Sequence, residues 1–167
     1  ASPMIGPDGD VYFGVFEHSW GINHYRGWLC HYNKALTQTK APGAFGWDHT
    51  PSIVPAKLVP SYQGSSKYLL LSKYNNYAGA GGDGVNKLAI LDPNETMTDP
   101  VSGATVMDEV LMVAGPTPDD EYASIPGAVR EWCVNTVAID AAKHSAIVHS
   151  EDGKIYRWDF HTNTLIE

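Results

Sequence analysis

The stretch from Glu17 to Arg26 carries the densest chemistry in the chain: Glu17, His18, Trp20, Asn23, His24, Tyr25 and Arg26. Two imidazoles beside carboxylates can ligate a transition metal. His18 and His24, completed by Glu17 or by Asp48 and His49, form one candidate set, although the spacing follows no stereotyped metal motif. The same residue types suit a second chemistry, because tryptophan and tyrosine next to carboxylates and amides stack on sugar rings or peptide groups and hydrogen-bond their edges. Trp47-Asp48-His49 and Arg130-Glu131-Trp132-Cys133 repeat that mixture further along. Glu17, Asp48 and Glu131 are candidates for the paired acids that a carbohydrate-active hydrolase or lyase would need. The segment 74–86 is rich in glycine but does not open a helix, so it is no phosphate cradle. Its Asn75, Asp83 and Asn86, with backbone carbonyls, are the candidate ligands for calcium. No Gly-x-Ser-x-Gly elbow supports nucleophilic hydrolysis. The ligand-binding candidates are therefore Glu17, His18, Trp20, His24, Arg26, Trp47, Asp48, His49, Tyr74, Asn76, Arg130 and Trp132, with plain loop packing as the alternative for the aromatic members.

Residues of this kind need a scaffold, and the composition points to strands. Hydrophobic residues make up 43% of 167, enough to build a core and exclude disorder. Nine tyrosines and five tryptophans favour strands, while 16 glycines and 11 prolines punctuate frequent turns. Three segments open alike, Ser2-Pro3-Met4-Ile5, Thr50-Pro51-Ser52-Ile53 and Asn135-Thr136-Val137-Ala138, each a small polar residue followed by a short strand. A stronger strand follows each, at 11–15, 68–72 and 146–150. A third follows at 27–33, 87–93 and 154–160, the last with clear period-two alternation. Asp8-Gly9 and Asp152-Gly153 mark reversals. Outer strands are expected at 36–41 and 106–113, with 164–167 for the third unit. The segments 74–85 and 92–104 read as insertions, and 117–124 as a helical turn. The chain thus reads as one all-β domain, 1–167, a β-propeller segment of about three four-stranded antiparallel blades (1–45, 46–116 and 130–167) in an incomplete ring. Its expected core includes Val11, Phe13, Trp28, Leu29, Leu69, Leu71, Leu88, Ile90, Val110, Met112, Ile147, Ile155 and Trp158.

The run Ser2 to Gly14, the run Phe45 to Ile53, and Glu151-Asp152-Gly153-Lys154-Ile155-Tyr156-Arg157-Trp158-Asp159 resemble the repeats of quinoprotein-like (PQQ-repeat-like) β-propellers. The resemblance covers nearly the whole chain and implies blades, together with a secreted or periplasmic location. Enzymatic members of that family carry an adjacent cysteine pair and docking repeats ending in Gly-x-x-x-Trp. This chain has no Cys-Cys, and its docking repeat is eroded, so a quinone cofactor is not expected. Trp47 and Trp158, each followed by aspartate but lacking a Gly-His partner, are read as packing between blades. Cys30 and Cys133 lie in the first and third repeats, which are not neighbours in a propeller. Two buried free thiols are expected, with a disulfide as the alternative.

Strand order alone places the loop between second and third strands on the same face as the connection between blades. That face would gather 17–26, 46–49, 74–86 and 130–133. The net charge of −8 and the lack of clustered Lys or Arg exclude a nucleic-acid partner. No apolar run approaches the roughly 18 residues of a membrane span. The chain opens on Ala1 rather than Met, as a processed or trimmed terminus would. The remaining blades are expected from the same precursor, from another subunit or from a second copy. The expected function is non-catalytic binding of a partner or small ligand through the clustered loops. A fragment of a quinone-dependent oxidoreductase and a carbohydrate-active hydrolase or lyase are the alternatives.

Overall fold

The computed structural model describes residues 1–16 and 23–167. These residues are all-β, 40% strand and 4% helix, and form three antiparallel sheets that do not close into a ring. The first sheet contains β1 (Met4–Ile5), β2 (Val11–Val15) and β3 (Trp28–Tyr32) in that order. The second contains β4 (Ser52–Pro55), β5 (Tyr68–Tyr74), β6 (Lys87–Thr98) and β7 (Thr105–Ala114), and the third β8 (Ala138–Asp140), β9 (Ser145–His149), β10 (Ile155–Asp159) and β11 (Thr164–Ile166). Neighbours in sequence are neighbours in each sheet. The expected outer strand of the first sheet survives only as two bridges, Leu29 with Gly43 and Tyr32 with Thr39. Pro42 lies between the bridging residues and has no N–H for a continuous ladder.

Two local expectations are corrected. Much of the supposed insertion 92–104 is strand, since β6 runs on to Thr98 and pairs with β7 across bulges at Ile90/Leu91 and Asp92/Thr96. The segment 117–124 makes turns and one bridge, Pro118 with Val129, rather than a helix. The 3₁₀ turns lie at Ala56–Leu58 and Ala78–Ala80 instead.

The middle sheet is covered on both faces, which is why β5 (Tyr-Leu-Leu-Leu-Ser-Lys-Tyr) is buried at every position. Alternate residues serve opposite cores. Leu69, Leu71, Leu88 and Ile90 pack with Trp132, Val148, Tyr156 and Trp158 of the third unit. Tyr68, Leu70, Ala89 and Leu91 pack with Tyr12, Leu29 and Phe45 of the first. On β2 the core residue is Tyr12, not the expected Val11 and Phe13, and on β10 Tyr156 joins the expected Trp158 while the expected Ile155 is 65% exposed. On β2 either face offers apolar side chains, so alternation alone does not choose between them, whereas β10 alternates cleanly and Ile155 falls on the face of Arg157 and Asp159. The residues leading into the first strand of each sheet meet at one edge. The Ser2 amide donates to Thr50 Oγ1 (2.9 Å), the Thr50 amide to the Asn135 carbonyl (2.9 Å), and Ser52 Oγ to the Val137 carbonyl (2.6 Å).

The outward face of the first sheet pairs Ile5 with Val11, Phe13 with Cys30, Val11 with Tyr32 and Val15 with Trp28. All of these are apolar or aromatic, and none is fully buried. Cys30 and Cys133 are both free thiols, but Cys30 is half-buried and Cys133 exposed, against the expectation of two buried ones. No helix among the described residues is long and apolar enough to cross a membrane.

Candidate functional site

Close backbone contact fixes the link that follows the first sheet. A Cβ on Gly46 would stand 2.0 Å from the Trp28 carbonyl oxygen, and one on Gly14 would stand 2.4 Å from the carbonyl oxygens of both Gly46 and His49. Only glycine permits that approach. The amides of Gly46 and Trp47 both donate to the Arg26 carbonyl (2.9 and 3.0 Å), so Trp47 is hung on the turn at the start of β3. That turn runs Asn23-His24-Tyr25-Arg26 and is closed by the Arg26 amide on the Asn23 carbonyl (2.9 Å). Its central residues His24 (φ 47°) and Tyr25 (φ 58°) are left-handed, as is Asp48 (φ 46°) beside them. Left-handed backbone at non-glycine residues is strained and concentrates at functional sites.

The loop 75–86 is braced from within. Asn76 Nδ2 and the Val85 amide both donate to Asp83 Oδ1 (2.8 and 2.9 Å), and the Asn76 amide donates to Asn86 Oδ1 (3.0 Å). Asn75 Oδ1 accepts from the Trp132 amide (3.2 Å), while its Nδ2 donates to the Trp132 carbonyl (3.3 Å). These bonds tie the loop to the segment 130–133. They also engage a side-chain oxygen of Asn75, Asp83 and Asn86, the three expected calcium ligands, in holding the loop.

Between these segments opens a cavity of about 370 Å³. Tyr25, Trp47, Tyr77, Tyr122 and Trp132 supply its aromatic walls, and Asp48, Lys73, Glu131 and Cys133 its polar groups. The rim is a chain of aromatic contacts. Phe16 lies 5.6 Å from Tyr25 and 4.9 Å from Trp47, and Trp47 meets Tyr77 edge-on at 5.2 Å. Phe16 is 47% and Trp47 38% exposed, so apolar ring surface faces the opening.

The polar groups are electrostatically unusual. Lys73, on β5, is 6% exposed, and among the described residues its ammonium makes no hydrogen bond or ion pair. It stands 5.8 Å from the centroid of the Phe45 ring. Burial holds its pKa below the usual lysine range, an effect that the charges of Asp48 and Glu131 partly offset. Glu131 is pushed up to about 7, first by burial and then by the charges of Glu151 and Asp119. A ligand atom of each of Glu131, Glu151 and Cys133 lies within 4.8 Å of the others. Burial and those two carboxylates also raise the Cys133 thiol.

The expected site residues divide. Trp47, Asp48 and Trp132 meet in this cavity. Arg26, Tyr74 and Asn76 line a separate one of about 190 Å³. Arg26 is buried there, bonded to Asp99 at 2.5 Å and, through Nε, to Asn23 at 2.9 Å. His24 Nδ1 pairs with Asn76 Oδ1 (2.8 Å). His49 is fully buried, and neither ring nitrogen closes a hydrogen bond of good geometry, although backbone of Leu71 and Val134 approaches the ring. His24, Asp48 and His49 do not converge as a metal set. Arg130 turns to Asp119 and Asp120. Glu17, His18 and Trp20 lie outside the described residues. Tyr25, from the chemically dense stretch 17–26, also lines the cavity, whereas Tyr77, Tyr122 and Lys73 enter it without having been singled out in the sequence. The period-two pattern hides Lys73, because a lysine closing a strand reads as a solvated end. Comparison of the chain with protein families, curated proteins and solved structures finds no match.

Proposed function

We propose that the three sheets are consecutive blades of a quinoprotein-like β-propeller and that the cavity binds a small ligand presenting an apolar ring face and polar edges, as a saccharide does. The observation that carries this reading is convergence. Tyr25, Trp47, Tyr77 and Trp132 come from four separate segments and wall one cavity. Rings stacked on sugar faces, with carboxylate and amine hydrogen-bonding at the edges, are the usual chemistry of such a pocket. Binding rather than turnover is the function, and the protein acts outside the cytoplasm. The apolar outward face of the first sheet packs on a further sheet of the same kind, supplied by the same precursor, another subunit or a second copy.

Titration of monosaccharides and short oligosaccharides against tryptophan fluorescence tests the reading. Saturable quenching that Trp47→Ala removes, with the melting temperature retained, is the expected result. A flat response across the panel would overturn it. Mass photometry of the intact chain tests the packing face, and a monomer at high concentration would refute self-association through it.

The raised Glu131 favours a second reading, a carbohydrate-active hydrolase with Glu131 as the acid and Asp48 as its carboxylate partner. Release of reducing ends from a polysaccharide panel, lost in Glu131→Gln, would establish it.

A further inference from the structure

An amine buried in an aromatic wall without a counter-ion is costly to keep charged, and a protein holding one must gain from the neutral form or from a ligand. Lys73 meets this description. It is 6% exposed, lines the cavity, and among the described residues has no ion pair or hydrogen bond, only the Phe45 ring at 5.8 Å. The remaining cavity groups match its needs. Glu131 is a carboxyl on the same cavity, beside the aromatic walls that would hold a ligand's apolar face.

We infer that Lys73 is a carbonyl-reactive amine, which forms a reversible imine with an aldehyde or ketone ligand held in the aromatic cavity, with Glu131 as the proton carrier. The inference rests on the cavity being a ligand site, and it adds the ligand's reactive group. The open-chain form of a reducing sugar carries such a carbonyl.

The chemistry balances without any further reactant. Through a bridging water, the Glu131 carboxylate takes a proton from the Lys73 ammonium, leaving a free amine. The amine nitrogen attacks the carbonyl carbon, a C–N bond forms, and the oxygen receives a proton from nitrogen to give a carbinolamine. Glu131 returns its proton to that hydroxyl, the C–O bond breaks, and water leaves a protonated imine on Lys73. Desolvation favours the free amine. A carboxyl that titrates near 7 can both accept and return a proton at neutral pH.

Reductive trapping tests this. The protein is treated at pH 7 with glyceraldehyde and cyanoborohydride, and the adducts are mapped by mass spectrometry of peptides. Lys73 should be modified at least about tenfold faster than the exposed Lys57, Lys67 and Lys143, although it is the most buried of the four. Modification of exposed lysines with Lys73 untouched would overturn the inference. Glu131→Gln separates proton transfer from electrostatics. Removing a nearby negative charge by itself frees the amine and speeds the reaction, whereas removing the proton carrier slows it by roughly 100-fold. Slowing supports the inference, and acceleration refutes the role of Glu131. The fluorescence titration is read separately. Trapping at Lys73 without saturable sugar binding sinks the saccharide reading and keeps the imine, and binding without trapping does the reverse.

Discussion

On one face of the middle sheet, Leu69, Leu71, Leu88 and Ile90 meet Trp132, Val148, Tyr156 and Trp158, with polar contacts only at the margins. On the other, Leu70 and Leu91 share their interface with buried charge. Arg26 reaches from the first sheet's loop to Asp99 in the β6–β7 turn at 2.5 Å, and Ser102 donates its hydroxyl to the same Asp99 oxygen. At the opposite end of the β2–β3 ladder, Asp10 accepts from His31 Nε2 (3.0 Å) and from Lys40, and His31 stacks on Tyr12 at 4.5 Å. Both interfaces use the two faces of the same strands, yet one holds by shape and desolvation and the other partly by a polar network. Hydrophobic burial is indifferent to pH and modest salt, whereas buried ion pairs depend on every member staying in its charge state. The polar interface carries the loop that frames the cavity, so the site's geometry depends on the more conditional of the two.

Acid should separate the interfaces most strongly. His49, at their junction, has its pKa lowered to about 3 by burial, against about 6.5 in an unfolded chain. Between those values the unfolded state holds a proton that the folded state refuses, so stability falls as pH drops through that window, by on the order of 5 kcal/mol at the bottom. His31 is also depressed, chiefly by burial, and acts in the same direction. Asp10 and Asp99 sit below the ordinary aspartate value, because their hydrogen-bond partners outweigh burial, and they add a further loss as pH falls below that value. His31, Asp10 and Asp99 lie only in the polar interface. Hydrogen exchange at falling pH should therefore expose β2 and β3 before β9 and β10. Simultaneous loss of protection would break the comparison.

Trp158 tests the dry interface. It is fully buried, and its indole N–H donates to Asn163 Oδ1 at 2.9 Å. Trp158→Ala should cost about 3–5 kcal/mol in denaturant unfolding, with little dependence on salt. Asp99→Ala tests the other interface by leaving Arg26 buried without its anion, at a cost of about 3 kcal/mol. The double change Arg26→Met with Asp99→Ala should recover much of that loss. No recovery would mean that the pair positions the loop rather than merely satisfying charge.

These differences bear on what can be read from sequence. Turn signals such as Asp8-Gly9 and the period of Lys154 to Phe160 locate strands, and strand order brings four loop segments to one face. Trp47, Asp48 and Trp132 were found by that route. Which face of β2 is buried is not legible, because Val-Tyr-Phe-Gly-Val is apolar on both sides. The Arg26–Asp99 pair spans 73 residues, beyond any local pattern, so Arg26 reads as a ligand contact rather than a buried ion-pair partner. Lys73 is half legible. A run such as Tyr68 to Ser72, apolar on both faces, marks a strand buried on both sides, and a lysine continuing such a run is anomalous once that is seen.

The smallest effect concerns Lys40, whose side chain is 38% exposed and whose ammonium contacts Asp10. A partly solvated ion pair contributes little, so Lys40→Met should change stability at pH 7 by less than about 1 kcal/mol. The titration of its neighbours should still move. The positive charge of Lys40 lowers His31 and, with its hydrogen bond, lowers Asp10. Removing it raises both. For His31 a higher folded pKa brings the folded state nearer to the unfolded value, so less stability is lost on acidification through that group. For Asp10 the raised folded pKa has the same sense, because the carboxylate's advantage over the unfolded chain shrinks, and less remains to be lost when it protonates. Lys40→Met should thus leave neutral stability almost unchanged and flatten the acid limb, with the His31 ring resonances titrating at higher pH by NMR. A large loss at pH 7 with an unaltered acid limb would place Lys40 in packing, through its methylene stem, and remove it from the polar network.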